Sequence, residues 1–430
     1  MMNFVFLVFV ALFAIFMQPI FSSESDVKVI TLEESIQLAK KNNISVKTAE
    51  NTLNNLKTKK DYSWNSISPT AQINSSYTGD FENETTSFGV SGSVNLSLKT
   101  NLISNIQGAK LNYEKGQITY EQAVRAVELN VCKSFYNILF QKENIVLQKR
   151  NLETSRERYL NNQEKFRNGK ISELDYLTSR VNYESKKPTV ESAEIDLENN
   201  LSLFKQILGI NQNEKIELKG SLDDILKVKP VSFEELPAAR KPSPEIRSAQ
   251  CDVEIQKNAL LDSRFSAYAP SISGGYTYGK SWNVTEESEQ TTNSLNVGVV
   301  IPLDGYMPWT TKAVAIENNK TAVKNAELNL ENAKTDVAVK TENYIRQINL
   351  AISQIESLKA TEELAQQTYK MNLTAYNYGK TDLLSLQNAS DSVLSAGVSI
   401  KSQAYTLVCA LLDLENLLGI EFGTLQIVKE

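Results

Sequence analysis

Four stretches of the chain alternate apolar and polar side chains, and they come in two pairs. In residues 71–81, Ala71, Ile73, Tyr77 and Phe81 share one parity, against Gln72, Asn74, Ser76, Thr78 and Asp80. In residues 88–98, Phe88, Val90, Val94, Leu96 and Leu98 oppose Gly89, Ser91, Ser93, Asn95 and Ser97. The second pair repeats this. Ile272, Tyr276 and Tyr278 oppose Ser271, Ser273 and Thr277, and Leu295, Val297, Val299 and Ile301 oppose Asn296, Gly298 and Pro302, with Val300 the one break. A period of two puts apolar groups on one face of a sheet and wet groups on the other. Each run is about ten residues, the length of a tilted strand crossing a bilayer. Four strands are too few for a barrel, and an open edge is forbidden in lipid. If these strands span a membrane, copies of the chain must close the sheet together.

Between the strand pairs the period changes. Proline is absent from 70 to 187 and from 309 onward, and the sequence predicts helices at about 32–64, 102–166, 171–208, 243–267, 311–377 and 381–418. The two longest would each reach roughly 100 Å at 1.5 Å per residue. Val124, Val127, Val131, Ile138 and Ile145 form one stripe, and Leu129, Cys132, Tyr136 and Leu139 a second. Ile345, Ile348, Ile352, Ile355 and Leu358 repeat the first stripe in the later helix. Two stripes give a helix neighbours on both sides, as in a bundle or the wall of a cylinder, and spacing alone does not separate these.

The chain also repeats itself. Phe166-Arg-Asn-Gly169-Lys170 matches Tyr376-Asn-Tyr-Gly379-Lys380, and Leu208-Gly209-Ile210 matches Leu418-Gly419-Ile420. Both pairs are 210 residues apart, as are Leu174/Leu384, Leu197/Leu407 and Leu201/Leu411. Each half reads helix, strand, strand, long helix, turn, helix. The glycines at the turns are expected in the left-handed conformation that reverses a chain after a helix.

Residues 1–23 are expected to be a signal peptide, with an apolar run from Phe4 to Phe21 before Ser22, Ser23 and Ser25; no Lys or Arg precedes the run, so an uncleaved anchor competes, and the cleavage position stays open. The first repeat is placed at 24–210 with strands at about 69–98, and the second at 246–420 with strands at about 270–303. Between them, 211–245 is proline- and charge-rich, a connector expected outside the helical body, and 421–430 forms a tail. No later run is apolar and long enough for a spanning helix. Export, no such helix and amphipathic ten-residue strands point to a bacterial outer membrane.

Composition narrows the chemistry. The 430 residues carry 45 basic and 51 acidic side chains and no histidine. The net charge of −6 leaves no footprint for nucleic acid. Imidazole catalysis is excluded and the commonest zinc ligand is missing. No paired-carboxylate set or phosphate-cradling glycine loop is present, so no catalytic, metal or cofactor residues are assigned. Cys132, Cys251 and Cys409 are read as buried small hydrophobes.

Together these features resemble the TolC-type outer-membrane efflux protein family. The resemblance runs from Leu32-Glu-Glu-Ser-Ile-Gln-Leu-Ala39 to Leu418-Gly-Ile420. It is carried by Ser68-Pro69 and Ala269-Pro270 before the strands, by Val299-Val-Ile-Pro302-Leu-Asp-Gly305, and by Asn168-Gly-Lys-Ile-Ser-Glu-Leu-Asp175-Tyr-Leu177. It implies a mainly α fold with a small membrane β part: a homotrimer whose helical hairpins build an α-barrel tunnel, joined to a shared twelve-stranded barrel with four strands per chain. It implies a passive exit duct for drugs, small toxic molecules or secreted proteins, in the cell outer membrane with the helical body in the periplasm. The implied partners are outer-membrane lipid, a periplasmic adaptor, and an inner-membrane pump or ATP-driven exporter. A periplasmic coiled-coil adaptor or a structural surface protein is the alternative reading.

The resemblance also implies sites. Trp64, Trp282 and Trp309, all just outside the expected strands, would anchor at the membrane interface with Tyr62, Tyr268 and Tyr306 near the inner rim. The acidic loops around Glu82–Glu84 and 285–289 would face outside. Asp175, Tyr376, Asp382, Ser385 and Asn388 are expected at the periplasmic entrance. The family's best-known pattern carries aspartates where Ser385 and Asn388 stand. A latch is expected in which Tyr376 donates a hydrogen bond to Asp175. Phe166, Gly169, Lys170, Gly379 and Lys380 at the hairpin tips would dock the adaptor.

Overall fold

A computed structural model describes residues 28–80, 85–223, 225–230, 242–283 and 287–425. The expected signal peptide, Phe81 with the first acidic loop, the start of the second acidic loop, part of the connector and the end of the tail lie outside them. The chain opens with β1 (Lys28–Ile30), then α1 (Leu32–Asn42) and α2 (Ile44–Asp61). After a 3-10 turn come β2 (Thr70–Asp80) and β3 (Thr85–Lys99), which feeds α3 (Leu102–Arg167). α4 (Glu173–Leu208) completes a hairpin and β4 (Ile216–Leu218) follows. The second half runs α5 (Pro244–Tyr268), β5 (Ser271–Asn283), β6 (Ser288–Val300), α6 (Thr311–Asn377) and α7 (Leu383–Leu418).

The single helix expected over 32–64 is two helices. Asn43 is extended; its amide oxygen accepts from Ser45 N at 2.8 Å, capping α2, while its Nδ2 donates to the Ile207 carbonyl at 2.8 Å. At the front of α1, Thr31 and Glu34 form a reciprocal capping box. α4 continues through Pro188 although proline supplies no backbone donor there.

The helices pack side by side in a fixed order. Near the sheet the neighbours run α2, α3, α5, α6; toward the tips they run α4, α3, α7, α6. The strands keep the upper order, β2-β3-β5-β6, all antiparallel, because each strand continues directly from or into one of those helices. The register aligns the apolar parity of all four strands on one face. Ala71, Val94, Tyr276 and Leu295 form one cross-strand row, and Tyr77, Phe88 and Trp282 another, with Phe88 and Trp282 stacked at 5.8 Å. The other face carries small polar residues: Ser76, Ser91, Ser93, Asn95, Ser273 and Asn296.

The strands are longer than their alternation. β6 begins at Ser288, although 288–294 contain no apolar residue, because β5 runs on to Asn283 and pairs with them. Trp282 is therefore inside β5, near its loop end, whereas Trp64 and Trp309 stand by the helix ends of their strands. The expectation that all three lie outside the strands is corrected accordingly.

The apolar core sits at mid-height. Val131, Phe135, Ile138 and Leu139 of α3 meet Phe204 and Leu208 of α4, Ile348 and Ile352 of α6, and Leu407 and Leu411 of α7. The connector is not peripheral to this. β4 pairs in parallel with β1, and Leu218, Leu222, Ile225 and Val228 are buried in the same core. Cys132 is fully buried, and its thiol is pushed up to about 12, first by desolvation. Cys251 and Cys409 are only half-buried, against the expectation for them.

Candidate functional site

The two hairpin tips are built alike. α3 ends with the Lys170 N–H on the Lys165 carbonyl at 2.8 Å, and α6 with Lys380 N–H on the Ala375 carbonyl at 2.8 Å. Gly169 and Gly379 sit at φ 66° and 67°, the left-handed state this helix ending requires. Each following helix is then capped by one serine and one aspartate, in swapped positions. In the first tip, Ser172 accepts from Asp175 N at 3.1 Å, and its hydroxyl donates to the Asp175 carboxylate at 2.8 Å. In the second, Asp382 accepts from Ser385 N at 2.7 Å. Hydrogen bonds from the Ser385 hydroxyl and N–H hold the Asp382 carboxyl below its ordinary range. Ser172 and Asp382 are 210 residues apart, as are Asp175 and Ser385. Both aspartates therefore have local capping work.

The tips differ in packing. On the first hairpin, Tyr183, Tyr159, Tyr176 and Phe166 stack in a ladder with centroids 5.2–6.0 Å apart. Sequence reading did not find this ladder, although tyrosines at 176 and 183 are one heptad apart. On α4, Leu174, Leu177 and Val181 remain exposed at i, i+3, i+7. On α7, Leu383 and Leu386 are buried instead, and Asn388 is exposed.

Tyr376 and Asp175 do not bond within this chain. Within the chain the Tyr376 hydroxyl donates instead to Asn162 Oδ1 at 3.1 Å. Burial pushes the phenol up; the bond to Asn162 opposes this, and the Asp175 charge adds to it.

Asn162 belongs to a stripe that sequence reading missed. Asn151, Ser155, Arg158 and Asn162 lie at helical spacing on α3, all buried against α4, α6 and α7. Lys186 bridges Asn151 at 3.0 Å to Asp391 at 2.9 Å, and Arg158 Nη2 reaches the Tyr369 hydroxyl at 3.4 Å. The remaining donors of the seam, Asn151 Nδ2, Arg158 Nη1, Asn162 Nδ2 and Gln387 Nε2, have no protein partner, and neither does Ser155 Oγ. The signal for the seam was polar residues at the three-four spacing that carries apolar ones higher up. No group of His, Cys, Asp or Glu among the described residues is placed to hold a metal.

At the other end of the molecule, Tyr268 and Tyr306 meet edge to face at 5.1 Å, and Trp64 and Trp309 are exposed beside them in the fold order. Among the described residues no helix is long and apolar enough to cross a membrane. The apolar face of the sheet is exposed in the single chain.

A family model described as outer membrane efflux protein matches residues 36–209 and 236–420. No curated protein matches the chain. Among solved structures, the CmeC outer membrane channel of Campylobacter jejuni is similar at 19% identity and TM-score 0.73, over 90% of this chain and 85% of that one. The open state of the MtrE outer membrane channel of Neisseria gonorrhoeae is similar at 19% identity and TM-score 0.72, over 90% and 89%. VceC, an outer membrane protein of Vibrio cholerae, is similar at 11% identity and TM-score 0.71, over 91% and 96%. At these identities the structural likeness speaks for the fold.

Proposed function

This chain belongs to the outer membrane efflux protein family, and on that premise we propose that three copies close into one duct, passive in itself, that a periplasmic adaptor couples to an inner-membrane pump or ATP-driven exporter. The channel is an outer-membrane one with its helical body in the periplasm. The adaptor and surface-protein readings lose their footing, because the family match spans both repeats.

One observation carries the trimer. The sheet ends in unpaired β2 and β6, and the helix rows end in α2, α4 and α6, so sheet and wall are open on the same two sides. An open sheet edge in hydrocarbon leaves each unpaired backbone group costing several kcal/mol. Three copies turn four strands into twelve, with the apolar face toward lipid and the serine- and asparagine-lined face toward water. Small neutral groups on that inner face suit a hydrated lumen of low selectivity.

The duct closes at the tips. Tyr376, Asp175, Asp382, Ser385 and Asn388 stand at the entrance in this reading, with Tyr376 and Asn162 as the bond nearest the hairpin ends. The exposed Leu174, Leu177 and Val181 stripe and the Phe166–Lys170 and Tyr376–Lys380 turns form the docking surface for the adaptor's own helical hairpin. The repeat boundaries at 24–210 and 246–420 are supported by the 210-residue spacing of both tips and both Leu-Gly-Ile ends.

Cross-linking in native membranes followed by planar-bilayer recording tests the reading. The expected result is a detergent-stable trimer that conducts ions. A monomer, or a trimer that passes no current under any condition, would overturn it.

A further inference from the structure

The same junction occurs once in each repeat, with opposite outcomes. A Cβ built on Gly209 would come within 2.7 Å of Asn42 Cβ, and one on Gly419 within 3.2 Å of Pro244 Cδ. The starts of α2 and α5 thus sit in matching places, against the ends of α4 and α7. In the first repeat Asn43 satisfies the junction with both halves of its amide. In the second, the N-cap residue Ser243 makes no capping bond. Ser243 is 6% exposed, and its hydroxyl has no partner.

Ser243 is among the residues lining a cavity of about 290 Å³ between α3, α5, α6 and α7. Arg125 lines the same cavity. Its Nη2 donates to the carbonyls of Glu415 at 3.0 Å and Ile420 at 2.8 Å, and its buried Nε is unpartnered. The two carboxylates on the wall are occupied: Glu245 lies 3.3 Å from Lys340, and Asp413 is 2.6 Å from Lys133. Among the described residues Arg125 is in no ion pair. A guanidinium in no ion pair, although Glu128, Glu121 and Glu415 act on it from nearby, a hydroxyl without a partner and an uncapped helix N-terminus line one space. Each of the three favours negative charge or a hydrogen-bond acceptor.

We propose that this cavity binds a small free oxyanion of the phosphate, sulfate or carboxylate class. The anion takes the place that the Asn43 side chain fills in the first repeat, and it ties α3 of one repeat to α5, α6 and α7 of the other. A lipid headgroup is excluded as the source. The 25 residues of α5 place the cavity about 37 Å from the strands.

The test is thermal unfolding of the full-length protein in detergent, in inorganic phosphate against sodium chloride of matched ionic strength. Phosphate is expected to raise the midpoint by a few degrees and to saturate. Ser243→Ala is expected to shift half-saturation several-fold upward. Ser243→Asp places a carboxylate in the cap and is expected to abolish the phosphate increment without lowering the starting midpoint. Equal effects of phosphate and chloride overturn the proposal. So does an unchanged phosphate increment in a folded Ser243→Asp variant, which would mean an adventitious ion only.

Discussion

The long helices α3, α6 and α7 pass through two regions that obey different rules. At mid-height, Val131, Ile138, Ile348, Ile352, Leu407 and Leu411 interlock in a closed apolar core. Below Ile145 and Ile355 the inward positions of α3 become Asn151, Ser155, Arg158 and Asn162, and several of their polar atoms have no protein partner. Close-packed apolar layers resist small displacements, because each gap forfeits contacts and opens a void. A polar seam exchanges one partner for another, or for water, at little net cost. The same helix is therefore close-packed where the connector straps it and more adaptable toward the hairpin tips. The gate proposed near Tyr376 would use that division, since movement at the tips would then leave the body packed.

Substitutions on either side of the boundary are expected to separate these behaviours. The largest effect belongs to the core. Leu411→Ala removes a fully buried side chain and is expected to cost about 2–5 kcal/mol in chemical denaturation, with opening of the assembled channel unaltered. A core substitution that changes opening more than stability would erase the distinction. An intermediate effect is expected for Tyr376→Phe. It removes the bond to Asn162 at 3.1 Å, costs about 0.5–1.5 kcal/mol, and raises the frequency of opening in bilayer recordings. Unaltered opening would take Tyr376 out of the gate. The smallest belongs to Ser155→Ala. Its hydroxyl is buried without a partner, so stability is expected to move by less than about 0.5 kcal/mol in the same denaturation assay. A loss of 2 kcal/mol or more, on the order of a core truncation, would mean the seam is as tightly built as the core.

The two tips repeat the lesson at closer range. Serine and aspartate exchange places between Ser172/Asp175 and Asp382/Ser385, and each arrangement caps its helix. The chemistry of the cap is local and could be read from spacing. The packing around it could not: the first hairpin stacks four rings, whereas the second buries Leu383 and Leu386.

The sequence alone determined the elements and their order. Period-two alternation, three-four stripes, proline-free windows and the glycine turns are local properties, each set by backbone geometry within a few residues. That is why α3, α4, α6 and α7 fall within two residues of expectation. Tertiary structure decided what depends on a distant partner. β6 starts at Ser288 because β5 supplies its hydrogen bonds, although 288–294 carry no pattern of their own. The helix breaks at Asn43 because the end of α4 offers Ile207 to its amide. Tyr376 turns to Asn162, 214 positions away, rather than to Asp175. Ser243 is left without a partner because α5 begins against the end of α7, where no amide side chain does the work of Asn43. In each case the energy lies in a hydrogen bond or contact between segments far apart in the chain, and local periodicity carries no record of it.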